Sequence, residues 1–227
     1  MNRIFVTGTD TDVGKTLVSE ALVQFWVSQG YKTAGFKPVA AGADWINGQL
    51  QNEDARILLA ASNMNLIYAE VNPCVYQEAT APHIAANKNL TPIDIAELDE
   101  AYDRLNNQCE KIVIEGAGGW QVPLNDQFSF ADWVGQKHWP VILVVNIKLG
   151  CINHARLTYR DICHYGNPVA GWVANLQCQD TPNADEMIET IESFLKAPLL
   201  GKLPCLMGHT NANALQYLNF NKLQNVS

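Results

Sequence analysis

The segment RIFVTGTDTDVGKT, residues 3–16, sets consecutive apolar residues directly before a glycine-bounded loop that ends in Gly-Lys-Thr. A strand must end there, curl between Gly8 and Gly14, and restart as a helix near Lys15. Such a curl turns successive N–H groups inward, and the positive end of the following helix adds to them. Lys15 can reach the β- and γ-phosphates of a nucleotide, and the Thr16 hydroxyl can ligate Mg²⁺. The common form of this loop is one residue shorter: here five residues, Thr9, Asp10, Thr11, Asp12 and Val13, intervene, and two of them are acidic.

Other apolar runs also end in small or polar residues: IVIEG at 112–116, VILVVN at 141–146 and VAGWVAN at 169–175. Strands apolar at every position are buried on both faces, which requires a parallel sheet covered by helices. Helical patterns lie between them. Leu17, Val18, Ala21, Leu22, Phe25 and Trp26 form one stripe before Gly30. A second helix is expected from Thr91 as N-cap and Pro92 at the first helical position, with Asp94 in a capping-box-like place. Further helices fit 153–165 and 183–196. The alternation predicts a doubly wound α/β fold, a mostly parallel sheet flanked by helices, in one domain over 1–227. The Asn- and Gln-rich tail is expected to be loosely held.

In such a sheet ligands sit beyond the carboxyl ends of the strands. That edge gathers the loop, Lys37, Glu115 to Gly119, Asn146 to Cys151 and Asn175. Glu115 ends the run KIVIE, and the bare backbone of EGAGG permits a ligand to approach closely. Asp54 opens a short helix and could supply a second oxygen, since Mg²⁺ favours one or two carboxylates plus phosphates. Equally, Asp54 could simply favour the positive end of its helix. Lys37 stands at the end of a second strand, where a lysine is usually a solvated strand end; its location would add a second cation to the phosphate site. In KLGCINHA, 148–155, open amides near Asn153 can bind a carboxylate, or Asn153 can cap the helix. The five histidines show no metal-ligand spacing.

A net charge of −8 without a block of like charges argues against sequence-independent nucleic-acid binding. No apolar run is long enough to span a bilayer, and MNRIFVTG lacks the apolar segment of a signal peptide. The six cysteines are scattered without a C-x-x-C pair, so reduced thiols and a cytoplasmic location are expected.

Together the segments FVTGTDTDVGKT, TAGFKPVAAG, VNPCVYQEATAPHIAA, VIEGAGGW, FADWV, PVILVVNIKLGCINHA, AGWVAN and PLLGKLP resemble the dethiobiotin synthetase family, in the family's order, over about residues 4–206. The resemblance implies a P-loop fold and an ATP- and Mg²⁺-dependent ring closure of 7,8-diaminononanoate with CO₂. It makes Lys37, Lys15 and Thr11 the catalytic residues, and Thr16, Asp54 and Glu115 the Mg²⁺ ligands. The nucleotide would also meet Asp12, Val13, Gly14, Leu17, Gly116, Ala117 and Gly118. Asn175 and Leu176, with Pro204, Cys205 and Leu206, would form the adenine edge, and Asn211 would lie near the ribose. Besides Thr11, Lys37, Ala41 and Gly118, the substrate would meet Gly150, Cys151, Ile152 and Asn153. In the family these last amides hold the substrate carboxylate from the neighbouring subunit, implying a homodimer with sites at its interface. An acid in the lengthened loop would attract an ammonium end of the diamine.

The chain departs from the family in three places. Asp12 replaces the usual Glu, Ala41 replaces a serine that touches substrate, and Asn211 replaces an acid; residues 207–227 match poorly. Loss of the hydroxyl at Ala41 predicts weaker diamine binding with retained chemistry. Regulatory switch ATPases that position division or partition machinery share the fold but carry a lysine between the first glycine and the final Gly-Lys. No lysine occurs from Thr9 to Val13. A related amide ligase of cobalamin synthesis would need an appended glutaminase domain.

Overall fold

The computed structural model describes residues 1–178, 180–205 and 213–223. In chain order the elements are β1 (Arg3–Gly8), α1 (Lys15–Ser28), β2 (Thr33–Phe36), β3 (Val39–Ala41), β4 (Asp44–Ile46), β5 (Gln49–Gln51), α2 (Glu53–Ala61), α3 (Tyr68–Val71) and β6 (Cys74–Tyr76). They continue with α4 (Pro82–Asn89), α5 (Ile95–Asn106), β7 (Lys111–Glu115), α6 (Phe130–Lys137), β8 (Val141–Asn146), α7 (Cys151–His164), β9 (Val169–Asn175), α8 (Ala184–Phe194) and β10 (Leu199–Leu203).

Six strands form one sheet in the order β10-β9-β8-β1-β7-β2, and every pair in it is parallel. Side chains alternate between the faces, so each strand feeds two cores. Phe5, Ile112, Ile114, Leu143 and Val145 face the helices α5, α6 and α7. Ile4, Val6, Val113, Ile142 and Val144 face α1 and α2. This explains the consecutive apolar runs: neither face of the central strands meets water. Beside the sheet, β3 pairs with β6 in parallel, and β4 with β5 form an antiparallel hairpin.

One glycine has a packing role that positions the site. A Cβ on Gly35 would lie 2.7 Å from Cβ of Leu58. Its absence lets α2 close directly on β2 and brings the start of α2 to the strand edge.

The structure corrects two helix starts. Thr91 and Pro92 precede α5, whose cap is Asp94, accepting from Ala96 N at 2.8 Å. Thr91 is already engaged: its N–H closes α4 on Ala86 O at 3.1 Å, and its carbonyl accepts from Tyr76 Oη at 2.8 Å. The helix near Asn153 starts earlier, at Cys151, with Gly150 (φ 92°) at the cap and no side-chain cap. Asn153 therefore lies inside α7. Of the tail expected to be loose, Leu218 and Phe220 are buried, and the Phe220 ring lies 5.5 Å from that of Phe25 on α1.

Trp133 anchors the α5–α6 side. It is fully buried, its ring meets Trp139 edge-on at 5.1 Å, and its Nε1 donates to Asp99 Oδ1 at 2.8 Å. Trp133→Ala should cost about 3–5 kcal/mol of unfolding free energy in a urea titration; a loss below about 1 kcal/mol would contradict this packing.

Candidate active site

A cavity of about 1000 Å³ is lined by the segments that follow β1, β2 and β7, by the start of α2 and by residues 79–82. Register creates this convergence. Val6 pairs with Glu115 and Gly8 with Val144, so the loop leaves β1 between the ends of its two neighbours.

The loop wraps the start of α1. Lys15 Nζ donates to Asp10 O at 3.0 Å, and Thr11 N donates to Asp10 Oδ1 at 2.8 Å. Asp10 thus serves the loop's own geometry, and its other oxygen lies 3.8 Å from Lys148 Nζ in an exposed pair. Asp12 takes a left-handed φ of 56° and Gly14 one of 93°. Thr11 Oγ1 approaches within 3.7 Å of where a Cβ on Gly118 would stand, so the loop tip faces the glycine rim after β7.

Lys37 is at the centre of the floor. It is 3 % exposed, and its Nζ donates to Glu115 Oε1 at 2.7 Å, Asp54 Oδ2 at 2.9 Å and Gly116 O at 3.2 Å. Thr16 Oγ1 donates to the same Glu115 Oε1 at 3.0 Å. The backbone around Lys37 is equally constrained: its N–H donates to Val71 O at 2.8 Å and its carbonyl accepts from Asn72 Nδ2 at 2.7 Å. Tyr68 Oη donates to Asn72 Oδ1 and accepts from Asn52 N, both at 2.7 Å. Asn52 caps α2, accepting from Ala55 N at 3.3 Å. One chain of hydrogen bonds therefore sets both Lys37 and the helix start that carries Asp54.

Burial alone would drive the proton off Lys37, but the attraction and hydrogen bonds of Glu115 and Asp54 outweigh it and raise its pKa. Burial would raise the pKa of Asp54, yet the Lys37 charge and hydrogen bond lower it on balance. Lys15 lacks such contacts. Burial, then the like charge of Lys37, lowers its pKa to about 8 despite Glu115, Asp54 and Asp12.

The donor set suits a hard divalent cation. Glu115 and Asp54 supply carboxylate oxygens beside the Thr16 hydroxyl, and Glu115 Oε2 is buried with no hydrogen-bond partner among the described residues. Two carboxylates with a hydroxyl, completed by phosphate oxygens, fit Mg²⁺ better than a softer metal.

Most expected residues converge. Thr11, Asp12, Gly14, Lys15, Thr16, Lys37, Ala41, Asp54, Ala117 and Gly118 line the cavity. Glu115 lies in its floor, bound to Lys37, and Gly116 contributes its carbonyl. Val13 is buried in the core, while Leu17 packs at its margin. Asn175 ends β9 and Leu176 follows it, while Pro204 and Cys205 follow β10, at the neighbouring stretch of the same edge. Leu206 and Asn211 lie outside the described residues. Gly150, Cys151, Ile152 and Asn153 line no part of the cavity of their own chain.

Several lining residues were not singled out beforehand, chiefly Thr80, Ala81 and Pro82. Pro82 at the first turn of α4 is the available sequence signal for this wall.

A family model described as an AAA domain matches residues 2–213. The strand-loop-helix unit and the parallel sheet together place the chain among P-loop enzymes. Among curated relatives, ATP-dependent dethiobiotin synthetase BioD 1 of Escherichia coli K12 is 46% identical over 218 residues, covering 96% of this chain and 97% of the relative. The Salmonella typhi synthetase is 43% identical, covering 98% of each chain. That of Aliivibrio fischeri MJ11 is 40% identical, covering 99% of this chain and 100% of the relative. The chain belongs to the dethiobiotin synthetase family, whose members are ring-closing carbon–nitrogen ligases. Among solved structures, the septum site-determining protein MinD with Mg-ADP from Pyrococcus horikoshii superposes with a TM-score of 0.56 at 15% identity, covering 95% of this chain and 92% of that one. Identity that low shows a shared fold alone.

The Lys15 environment yields a stability test. The folded chain sheds this proton from about pH 8, whereas the unfolded chain keeps it to about 10.5. The charged form is therefore destabilising below pH 8, and that penalty fades as pH rises between the two values. Lys15→Met should stabilise the fold near pH 7 by up to about 3 kcal/mol, with the gain shrinking toward pH 10.5. Denaturant titrations across that range check it; a gain independent of pH would contradict the assignment.

Proposed function

We propose that this chain closes the ureido ring of dethiobiotin from 7,8-diaminononanoate, CO₂ and ATP, in biotin synthesis. The observation that carries the reading is the meeting of Lys15, Lys37, Glu115, Asp54 and Thr16 at one cavity. The curated relatives named as ATP-dependent dethiobiotin synthetases support it.

One amine of the substrate captures CO₂ as a carbamate. A carbamate oxygen takes the γ-phosphoryl group of ATP, releasing ADP and giving a carbamic–phosphoric anhydride. The second amine attacks the carbamoyl carbon, phosphate leaves, and the amine protons pass to water. Negative charge moves throughout from nucleotide to carbamate oxygen, so the protein's contribution is preorganised positive charge.

Lys15 serves the β- and γ-phosphates from its place against the loop. Lys37, kept protonated by Glu115 and Asp54, holds fixed charge beneath the carbamate and the migrating phosphoryl group. Bound to Thr16, Asp54 and Glu115, Mg²⁺ would supply charge neutralisation to the phosphates. Thr11 at the loop tip contacts substrate or phosphate. Ala41, with Ala81 and Val122 on the cavity wall, gives an apolar path for an alkyl chain. Without a serine hydroxyl at Ala41, the diamine end is held by fewer contacts.

We assign Asn175, Leu176, Pro204, Cys205, Leu206 and Asn211 to the nucleoside. We also propose a cytoplasmic homodimer in which the amides of Gly150, Cys151, Ile152 and Asn153 serve the partner's substrate carboxylate. Leu149 beside them is 94% exposed in the single chain, consistent with a contact surface there.

The purified protein, given ATP, Mg²⁺, bicarbonate and the diamine, should release phosphate together with the cyclic urea, detected by mass spectrometry. ATP turnover indifferent to the diamine would instead favour a switch ATPase. Lys37→Ala should lower kcat by at least about a hundredfold with little change in ADP affinity; the opposite pattern would make Lys37 a binding residue.

A further inference from the structure

The phosphate loop is one residue longer than the common form, and its bend places a non-glycine residue, Asp12, at a left-handed φ of 56°, two residues before Gly14 at 93°. Such a segment needs outside support to hold one shape. The support comes from residues distant in sequence. Asn175 Nδ2 donates to Val13 O at 2.8 Å, and Gln177 Nε2 donates to Asp12 O. Gln177 is itself held, since Asn146 Nδ2 donates to Gln177 Oε1 at 2.6 Å. Cys205 Sγ donates to the Gln177 carbonyl at 2.9 Å.

These partners fix the amide orientations. Both loop atoms are carbonyl oxygens, so each side-chain amide must present its NH₂. A Gln177 amide that donates to Asp12 and accepts from Asn146 has a single orientation that satisfies both.

We propose that Gln177, steadied by Asn146, acts with Asn175 to position two successive peptide groups of the phosphate loop. In a planar trans peptide the carbonyl of one residue points opposite to the N–H of the next. Drawing the Asp12 and Val13 carbonyls toward the end of β9 turns the Val13 and Gly14 N–H groups the other way, toward the concave side. Among the described residues, neither of those N–H groups has an acceptor within the protein. Asn175 is 3 % exposed and its Nδ2 would stand 2.3 Å from a Cβ on Gly14. The amide therefore fits against the loop only because residue 14 is glycine. The edge that follows β8 and β9 thus sets the donors that meet a nucleotide's terminal phosphates.

The inference rests on nucleotide binding, not on the identity of the second substrate. Its test is the affinity of Gln177→Met and Asn146→Ala for ADP and for AMP, by competition against a fluorescent ADP analogue. Thermal melts of the same proteins check that folding is intact. Gln177→Met removes the donor at similar length, and Asn146→Ala releases the amide that steadies it. ADP affinity should fall about threefold to tenfold in Gln177→Met and less in Asn146→Ala. AMP affinity, which lacks the β-phosphate contact, should change less than about twofold, with melting temperatures unaltered. Equal losses for ADP and AMP, or ADP affinity matching the unaltered protein in both variants, would overturn the proposal. Failure of the unaltered protein to bind ADP at all would bring down the nucleotide reading itself, and this inference with it.

Discussion

The buried contact between Lys37 and Glu115 is the interaction on which the site depends. Neither charge could stand alone at that depth without losing its hydration uncompensated. Paired at 2.7 Å, with Asp54 at 2.9 Å and Thr16 on the same Glu115 oxygen, the charges persist. The result is a floor of fixed positive and negative groups under a cavity walled largely by small residues. Cation and carboxylates coexist at that depth because each neutralises the other.

Parallel topology puts these groups together at little structural cost. Lys37, Glu115 and the loop each follow a strand, and β7 lies between β1 and β2. The remaining support comes from amide side chains. Asn52 and Asn72 link the start of α2 to the backbone of Lys37, while Asn175 and Gln177 brace the loop. The floor and the loop are thus steadied from opposite halves of the sheet. Lys15 lies between them, short of acceptors and near a like charge, and a polyphosphate would relieve that imbalance.

Much of this was legible in the sequence because its causes are local. Runs such as VILVVN mark a strand covered on both faces, and Gly-Lys-Thr after a strand marks the loop. Lys37 and Glu115 stand at strand ends that the apolar runs mark, which is why their meeting could be expected, although a lysine at such a place is usually solvated. Other features depend on contacts between distant residues. Thr91 looks like a helix cap, but the end of α4 and Tyr76 use its backbone first. The wall at residues 79–82 follows from the pairing of two three-residue strands, β3 and β6, too short to show a period. No spacing rule connects Gln177 with Asp12. The acids of the loop had suggested attraction for an ammonium group; Asp10 also accepts the Thr11 N–H, a role invisible without coordinates.

The coupling between Lys37 and Glu115 can be measured directly by a double-mutant cycle in urea, using Lys37→Met, Glu115→Gln and the pair together. Each single change should cost about 3–5 kcal/mol, since it leaves a buried charge without its partner. The combined change should cost far less than the sum of the two. Strictly additive losses would contradict the account, because they would mean that the two groups do not stabilise one another in the floor of the site.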